Sequence, residues 1–324
     1  MGRADRAFAL LFALAVGSGA ILIALFATLI PHASILLTRG ADDAQDVVAL
    51  LLLLLALLGI GLGLGALFRQ LSATAAFIRA LLARKVAVPR DVQDIARGLG
   101  LSGLVDIVQD ARPFSFCYWF LRPRICLSTG LLARLDGDEK RAVLLHERYH
   151  LRHRDPLRLV IARYFAAGLY VVPVVDELVS YYTLQKEIAA DEEAVRETGE
   201  VRPLAAALYK LLPDADGVDL GLLVPVGSLS VTEARIEQLV NGVPVPLVLS
   251  PLSIAVSGGA LVAASILAFI GLPMTAVFLP PVLAVPGLLV APASFLAAAA
   301  VSGGAHQLRV LVQPAPILPA PISY

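Results

Sequence analysis

The stretch Asp136-Gly-Asp-Glu-Lys-Arg-Ala-Val-Leu-Leu-His-Glu-Arg-Tyr-His150 decides how the chain is read. Asp136 stands where an N-cap belongs and Glu139 follows three residues later in capping-box position, so a helix starts here. It should run to about Arg154, because Asp155-Pro156 breaks it. On that helix His146 and His150 lie one turn apart on one face and can give two imidazole nitrogens to a single tetrahedral zinc. Glu147, beside the first histidine, can reach a metal-bound water rather than the metal and take its proton during attack on a peptide carbonyl. Such a site needs a third protein ligand and an open fourth position.

About forty residues further on, Lys186-Glu-Ile-Ala-Ala-Asp-Glu-Glu193 supplies carboxylates at helical spacing. Glu187 and Asp191 are again i and i+4, so one face can present a ligand carboxylate and, a turn on, a second carboxylate to accept a hydrogen bond from a ligand histidine. The competing reading is that Asp191, Glu192 and Glu193 form a solvated face.

The rest of the chain is unusually apolar. Of 324 residues 58% are hydrophobic, with mean hydropathy +0.80 and zero formal net charge. Soluble domains hold roughly 45–50% apolar residues, so membrane spans are the first expectation. Ala7 to Ile30 and Val47 to Phe68 are each long enough to cross, which makes residues 1–68 a pair of N-terminal transmembrane helices, about 7–30 and 47–68. Gly59, Gly61, Gly63 and Gly65 would let another helix, from this chain or a second copy in a homodimer, approach the second span. Asn241 to Leu308 carries no charge and reads as two further segments, near 251–271 and 275–301, within 243–302. Pro280, Pro281, Pro286 and Pro292 interrupt the last of these, and a proline-rich tail occupies 303–324.

Residues 69 to 158 hold sixteen of the twenty-six Lys and Arg, against only Arg39 in the loop between the first spans. The positive-inside bias therefore puts this region and the N-terminus in the cytoplasm, in a multi-pass protein of the cell membrane. The balanced total charge offers no long-range attraction to nucleic acid, and no direct nucleic-acid partner is expected. Cys117 and Cys126 are too few for a disulfide framework and read as reduced thiols.

Within this charged region the pattern is α+β. Leu104 to Val108, Phe114 to Phe120 and Arg124 to Leu127 read as strands of a small antiparallel sheet or hairpin. Leu157 to Tyr182 is apolar enough to span, but a full span would carry Glu187 to the side opposite His146. Pro173 divides it into two arms, each short of a span, so a re-entrant hairpin over about 157–182 is expected.

Phe114-Ser-Phe, Leu121-Arg-Pro-Arg-Ile-Cys-Leu-Ser128, the His146 motif, Arg152-His-Arg-Asp155 and Glu187-Ile-Ala-Ala-Asp191 occur in order, and together resemble the BlaR/MecR-type family of membrane zinc metallopeptidases. The likeness runs from about Ile95 to Gly242. It implies a membrane protein, mainly α, with a small α+β gluzincin-type peptidase domain over 69–242. It also implies Zn2+ held by His146, His150 and Glu187, with Glu147 as catalytic base and Asp191 supporting a ligand histidine. The partners it implies are the lipid bilayer and a protein or peptide substrate such as a transcriptional repressor, its backbone paired to an edge strand matching Phe114 to Phe120.

Two departures qualify the likeness. Tyr149 is bulky where the family commonly has a small residue. Neither Ser-x-x-Lys nor Lys-Thr-Gly occurs, so a penicillin-binding sensor is not expected. Arg235, in Val231-Thr-Glu-Ala-Arg-Ile-Glu-Gln-Leu239, can close over the cleft but reads first as a surface residue, and His153 reads as a charge on the cytosolic face. Two alternatives stay open: an HtpX-like protease of membrane-protein quality control, and a non-catalytic signalling scaffold with a vestigial metal site.

Overall fold

A computed structural model describes residues 2–39, 44–211, 235, 238–239 and 246–275. Two long helices come first, α1 over Arg3–Arg39 and α2 over Ala44–Leu82. Within them Arg3–Ala27 and Ala56–Leu82 are long and apolar enough to cross a bilayer. Only 6% of the α2 window is buried, and Leu54, Leu57, Leu58, Leu62 and Phe68 all turn outward. A soluble core helix would bury such residues, whereas a lipid-facing helix need not. No helix breaker follows Phe68, so α2 runs on as one rod through Arg69 to Leu82.

A four-stranded sheet follows, made of β1 (Lys85–Val86), β2 (Val105–Val108), β3 (Ser115–Tyr118) and β4 (Arg124–Ser128), in the order β1-β2-β4-β3. The expected antiparallel sheet is corrected to a mixed one. β3 does pair antiparallel with β4, Ser115 opposite Leu127, but β4 lies parallel to β2, Val105 opposite Ile125. The chain places β3 outside β4 before returning, so β3 becomes an edge strand, unpaired on its outer side among the described residues. The four strands share one pin, the Asp106 carboxylate of β2, which accepts from Tyr118 Oη at 2.5 Å, from the Arg124 guanidinium at 2.5 and 3.0 Å, and pairs with Lys85. Burial alone would raise the pKa of Asp106, but these three donors hold it well below the usual carboxylate range.

Against the sheet pack α3 (Arg90–Gly98), α4 (Thr129–Arg134), α5 (Gly137–His153) and α8 (Arg202–Leu211), around a core that includes Val92, Ile107, Ile125, Leu127, Leu131, Leu144, Leu145 and Leu204. The expected start of α5 is found: Asp136 accepts from the Glu139 amide, and Glu139 answers to the Asp136 amide. Its end is the expected break, with Arg154 in the left-handed conformation (φ 53°) and α6 (Asp155–Gly168) beginning immediately with Pro156 in its first turn.

From there α6 and α7 (Val174–Thr198) double back on each other around Pro173. At 14 residues α6 is about 21 Å long, short of a bilayer core of roughly 30 Å. The hairpin packs in a second core with α1 and with α9 (Pro251–Thr275), built from Leu11, Leu14, Val175, Leu178, Tyr182 and Leu261. The expected segment at 275–301 and the tail at 303–324 lie outside the described residues. In α2 the small residues serve α6: a Cβ at Gly63 would sit 2.4 Å from the Ala167 carbonyl oxygen, and one at Gly59 would meet the Tyr170 ring. Gly61 and Gly65 face open space.

The contrast between these glycines is testable. Gly63→Ala forces backbone apart and should destabilise the α2–α6 contact by about 1–3 kcal/mol. Gly61→Ala meets nothing and should be neutral or mildly stabilising. Thermal unfolding of detergent-solubilised protein reads both, and equal midpoints for the two variants would refute the close approach.

Candidate metal centre

Helix α5 carries both imidazoles on the face turned toward α7. The Nε2 atoms of His146 and His150 lie 3.0 Å apart, and Glu187 Oε2 on α7 lies 3.4 and 3.6 Å from them. One potential ligand atom from each of the three residues falls within 4.8 Å of the others. The doubling back of α6 and α7 thus returns the carboxylate to the histidines from 37 positions along the chain.

Each imidazole is held from behind. His146 Nδ1 meets Asp191 Oδ1 at 2.8 Å, and His150 Nδ1 meets Asp155 Oδ2 at 2.6 Å. These bonds favour the proton on Nδ1 and aim both Nε2 lone pairs at the common point. All four side chains are nearly out of contact with water, Asp191 at 2% exposure and Asp155 at 3%.

Glu147 differs from these three residues. Its Oε1 accepts from Ser115 Oγ of β3 at 2.8 Å, while Oε2 is buried with no hydrogen-bond partner among the described residues. A buried carboxylate oxygen left so is costly unless something polar occupies the space before it. A cation held by the three donors, bringing water of its own, would meet that need, so the residues fit a metal.

Charge gives an independent test of the fit. Among the described residues Glu187 and Asp191 each have a cation at bonding distance, Lys186 at 2.6 Å from Glu187 Oε1 and Arg235 at 2.7 and 2.8 Å from Asp191. Glu147 and Asp155 have no lysine or arginine at that distance among the described residues, so the cluster holds negative charge that a bound cation would offset. Against these carboxylates the imidazoles hold protons strongly. Burial works to lower the His150 pKa, but the nearby Glu187 charge and the Asp155 bond push it up to about 9. Burial likewise opposes, and Asp191 and Glu187 overcome, a rise at His146. Glu187 runs the other way: burial favours its neutral form, but Lys186 and His150 hold it well below the usual carboxylate range.

The expected residues therefore come together: His146, His150 and Glu187 converge, Glu147 sits beside them, and Asp191 backs His146. Arg235 does not fit its surface reading. It is a largely enclosed partner of Asp191, its side chain 12% exposed, with a further approach of 3.5 Å to Glu187 Oε2, because two carboxylates inside the fold draw it in. Asp155, read as a helix stop and as the last residue of a motif shared with the family, is the support of His150, and Ser115, inside another such motif, and Lys186 had no assigned role. An acidic residue directly after the helix end was the signal for Asp155; Ser115 and Arg235 were noted, one within a shared motif and the other as able to close over the cleft, but nothing local gave their partners. Tyr149 is accommodated away from the sheet, stacked on His153 with ring centroids 3.9 Å apart near the first turn of α1. Both cysteines are free, as expected. Burial pushes Cys126 up to about 12 and Cys117, whose Sγ donates to the Glu147 carbonyl at 3.2 Å, well above its ordinary value. Neither is a nucleophile at neutral pH.

Comparison with known proteins agrees with this geometry. The family model described as BlaR1 peptidase M56 matches residues 31–239. The chain is also similar to a protein named Protease HtpX homolog from Methanothermobacter thermautotrophicus, 30% identical over 147 residues, 37% of this chain. It covers 57% of that relative's length. The matched span takes in the second long helix, the sheet, the paired histidines, Glu187 and Arg235 alike, and this chain belongs to the BlaR1-type peptidase M56 family of metallopeptidases.

Proposed function

We propose that the chain is a membrane-embedded, zinc-dependent endopeptidase whose catalytic domain, residues 69–242, faces the cytosol and cuts a regulatory protein such as a transcriptional repressor. One observation supports this above the others: three donors meet at one point beside a buried carboxylate oxygen that has no hydrogen-bond partner among the described residues. Two imidazole nitrogens and one carboxylate suit zinc, whereas magnesium and calcium prefer oxygen alone. Zinc bound there would lower the pKa of a bound water toward about 7 and polarise the substrate carbonyl.

In this reading His146, His150 and Glu187 are the ligands and Asp191 and Asp155 fix the imidazoles. Glu147 accepts the water's proton on Oε2 and can pass it to the leaving amine, while Ser115 holds Oε1 still. The outer edge of β3 offers backbone groups to an extended peptide beside Glu147, which positions a scissile bond while asking little of its sequence. The concentration of Lys and Arg between 69 and 158 supports the cytosolic side, and the α6–α7 arms act as a re-entrant hairpin between the spans. The likeness to the HtpX homolog favours a second reading, quality control of damaged membrane proteins. A single cut site in a defined repressor supports the first reading. Broad loss of misfolded membrane substrates after heat stress supports the second.

Glu147→Gln should lower cleavage of a candidate substrate in membranes by about 10²–10⁴-fold while keeping the metal. Equal cleavage by variant and wild type would reject the mechanism.

Metal binding should also be proton-linked. The cation must displace the protons that the carboxylates hold on the imidazoles, so affinity rises with pH and falls as pH drops below about 9. At pH 7 between one and two protons should be released per zinc, read by calorimetry in buffers of different ionisation enthalpy, and His150→Ala should lose the metal. Binding without proton release, or metal kept by that variant, would remove these imidazoles from the site.

A further inference from the structure

The two oxygens of Glu187 have different surroundings. Oε2 faces the imidazoles at 3.4 and 3.6 Å, with Arg235 Nη1 at 3.5 Å, while Oε1 takes the far closer, directed bond of Lys186 Nζ at 2.6 Å. Lys186 is the next residue along α7, and neighbours on a helix point about 100° apart, so this is no ordinary surface pair at i and i+4. One turn away in either direction stand Tyr182 and Ala190, neither of them acidic. The Lys186 side chain is only 12% exposed. A lysine left to itself would extend its ammonium into water, because taking it inside costs heavily unless it is paired. Here it bends back into the site.

A carboxylate with both oxygens unrestrained can close on a cation through either one or both. A charge-assisted bond from a buried ammonium fixes one oxygen and leaves the other. We infer that Lys186 is a positioning residue that restricts Glu187 to coordination through Oε2 alone. This rests on the ligand set proposed above. The consequence is an open fourth position: two-oxygen binding by Glu187 would fill it and would give the cation more negative charge, weakening its pull on water and on the substrate carbonyl. Lys186 also offsets one of the four carboxylates, so its removal should leave cation binding as tight or tighter while making the bound cation a poorer catalyst.

The experiment uses the full-length protein loaded with Co2+, whose visible bands are intense in four-coordinate sites and several-fold weaker in sites of higher coordination. Wild type should give the intense spectrum, Lys186→Met the weaker one with undiminished cobalt affinity, and Lys186→Arg, which keeps a donor and a charge, should restore the intensity. On a peptide substrate Lys186→Met should lose kcat with KM little changed. Zinc X-ray absorption of the wild type gives a reading that does not depend on any variant folding: the inference requires single-oxygen binding of the carboxylate. Two-oxygen binding there, a wild-type spectrum in Lys186→Met, or loss of cobalt by a folded Lys186→Met would overturn it. Failure of wild type to bind cobalt or zinc would instead overturn the ligand set itself.

Discussion

Four carboxylates, three of them buried and Glu187 largely enclosed, gathered around two imidazoles are the constraint to which the rest of the structure answers. Charges of one sign gathered inside a fold are expensive, and the cost is met only by cations placed within bonding distance. Lys186 and Arg235 meet part of it from within the chain, at 2.6 and 2.7 Å. What remains is suited to a divalent cation or to protons, and the raised proton affinities of His146 and His150 express that same deficit. The metal reading and the proton reading are therefore two descriptions of one electrostatic field.

That field needs a rigid frame, because a shift of an ångström would disconnect the donors. The frame is the crossing of α5 with α7, and each is secured separately. A reciprocal cap fixes the start of α5 and a left-handed Arg154 ends it, so that Asp155 falls back beneath His150. Helix α7 is fixed by its apolar side, where Leu178 and Tyr182 are sealed against α1. The sheet contributes through its edge: Ser115 and Cys117, alternate residues of β3, both bond to Glu147, one to the side chain and the other to the backbone. Two residues apart on a strand means the same face. The strand that could take a peptide thus also steadies the carboxylate that would act on it.

What could be read in the sequence was what a single helix decides. His146, Glu147 and His150 needed only the spacing of one turn, and Glu187 with Asp191 only the same spacing repeated. The strands could be located by composition, but not their order, since nothing in Phe114 to Phe120 says that it passes outside β4. Asp155 escaped because its role depends on one left-handed residue before it. Arg235 escaped because its partner Asp191 is 44 positions away, and an amphipathic helix pattern places an arginine at the surface unless a buried charge calls it inward.

The first turn of α1 belongs to this frame as much as to the membrane. Asp5 bonds Arg158 at 2.8 Å, Arg158 lies over the Phe8 ring, and Phe8 packs on Tyr182 at 5.2 Å between centroids. Tyr182 in turn lies 3.5 Å from the carboxylate that holds His150. A helix long enough to cross a bilayer is thereby connected to a metal-facing imidazole through an unbroken series of packed and hydrogen-bonded side chains. Close-packed interiors do not deform smoothly, so a displacement of α1 cannot be absorbed at Phe8 without moving Tyr182. The geometry at His150 is consequently a property of the whole helical assembly and not of the small α+β unit alone.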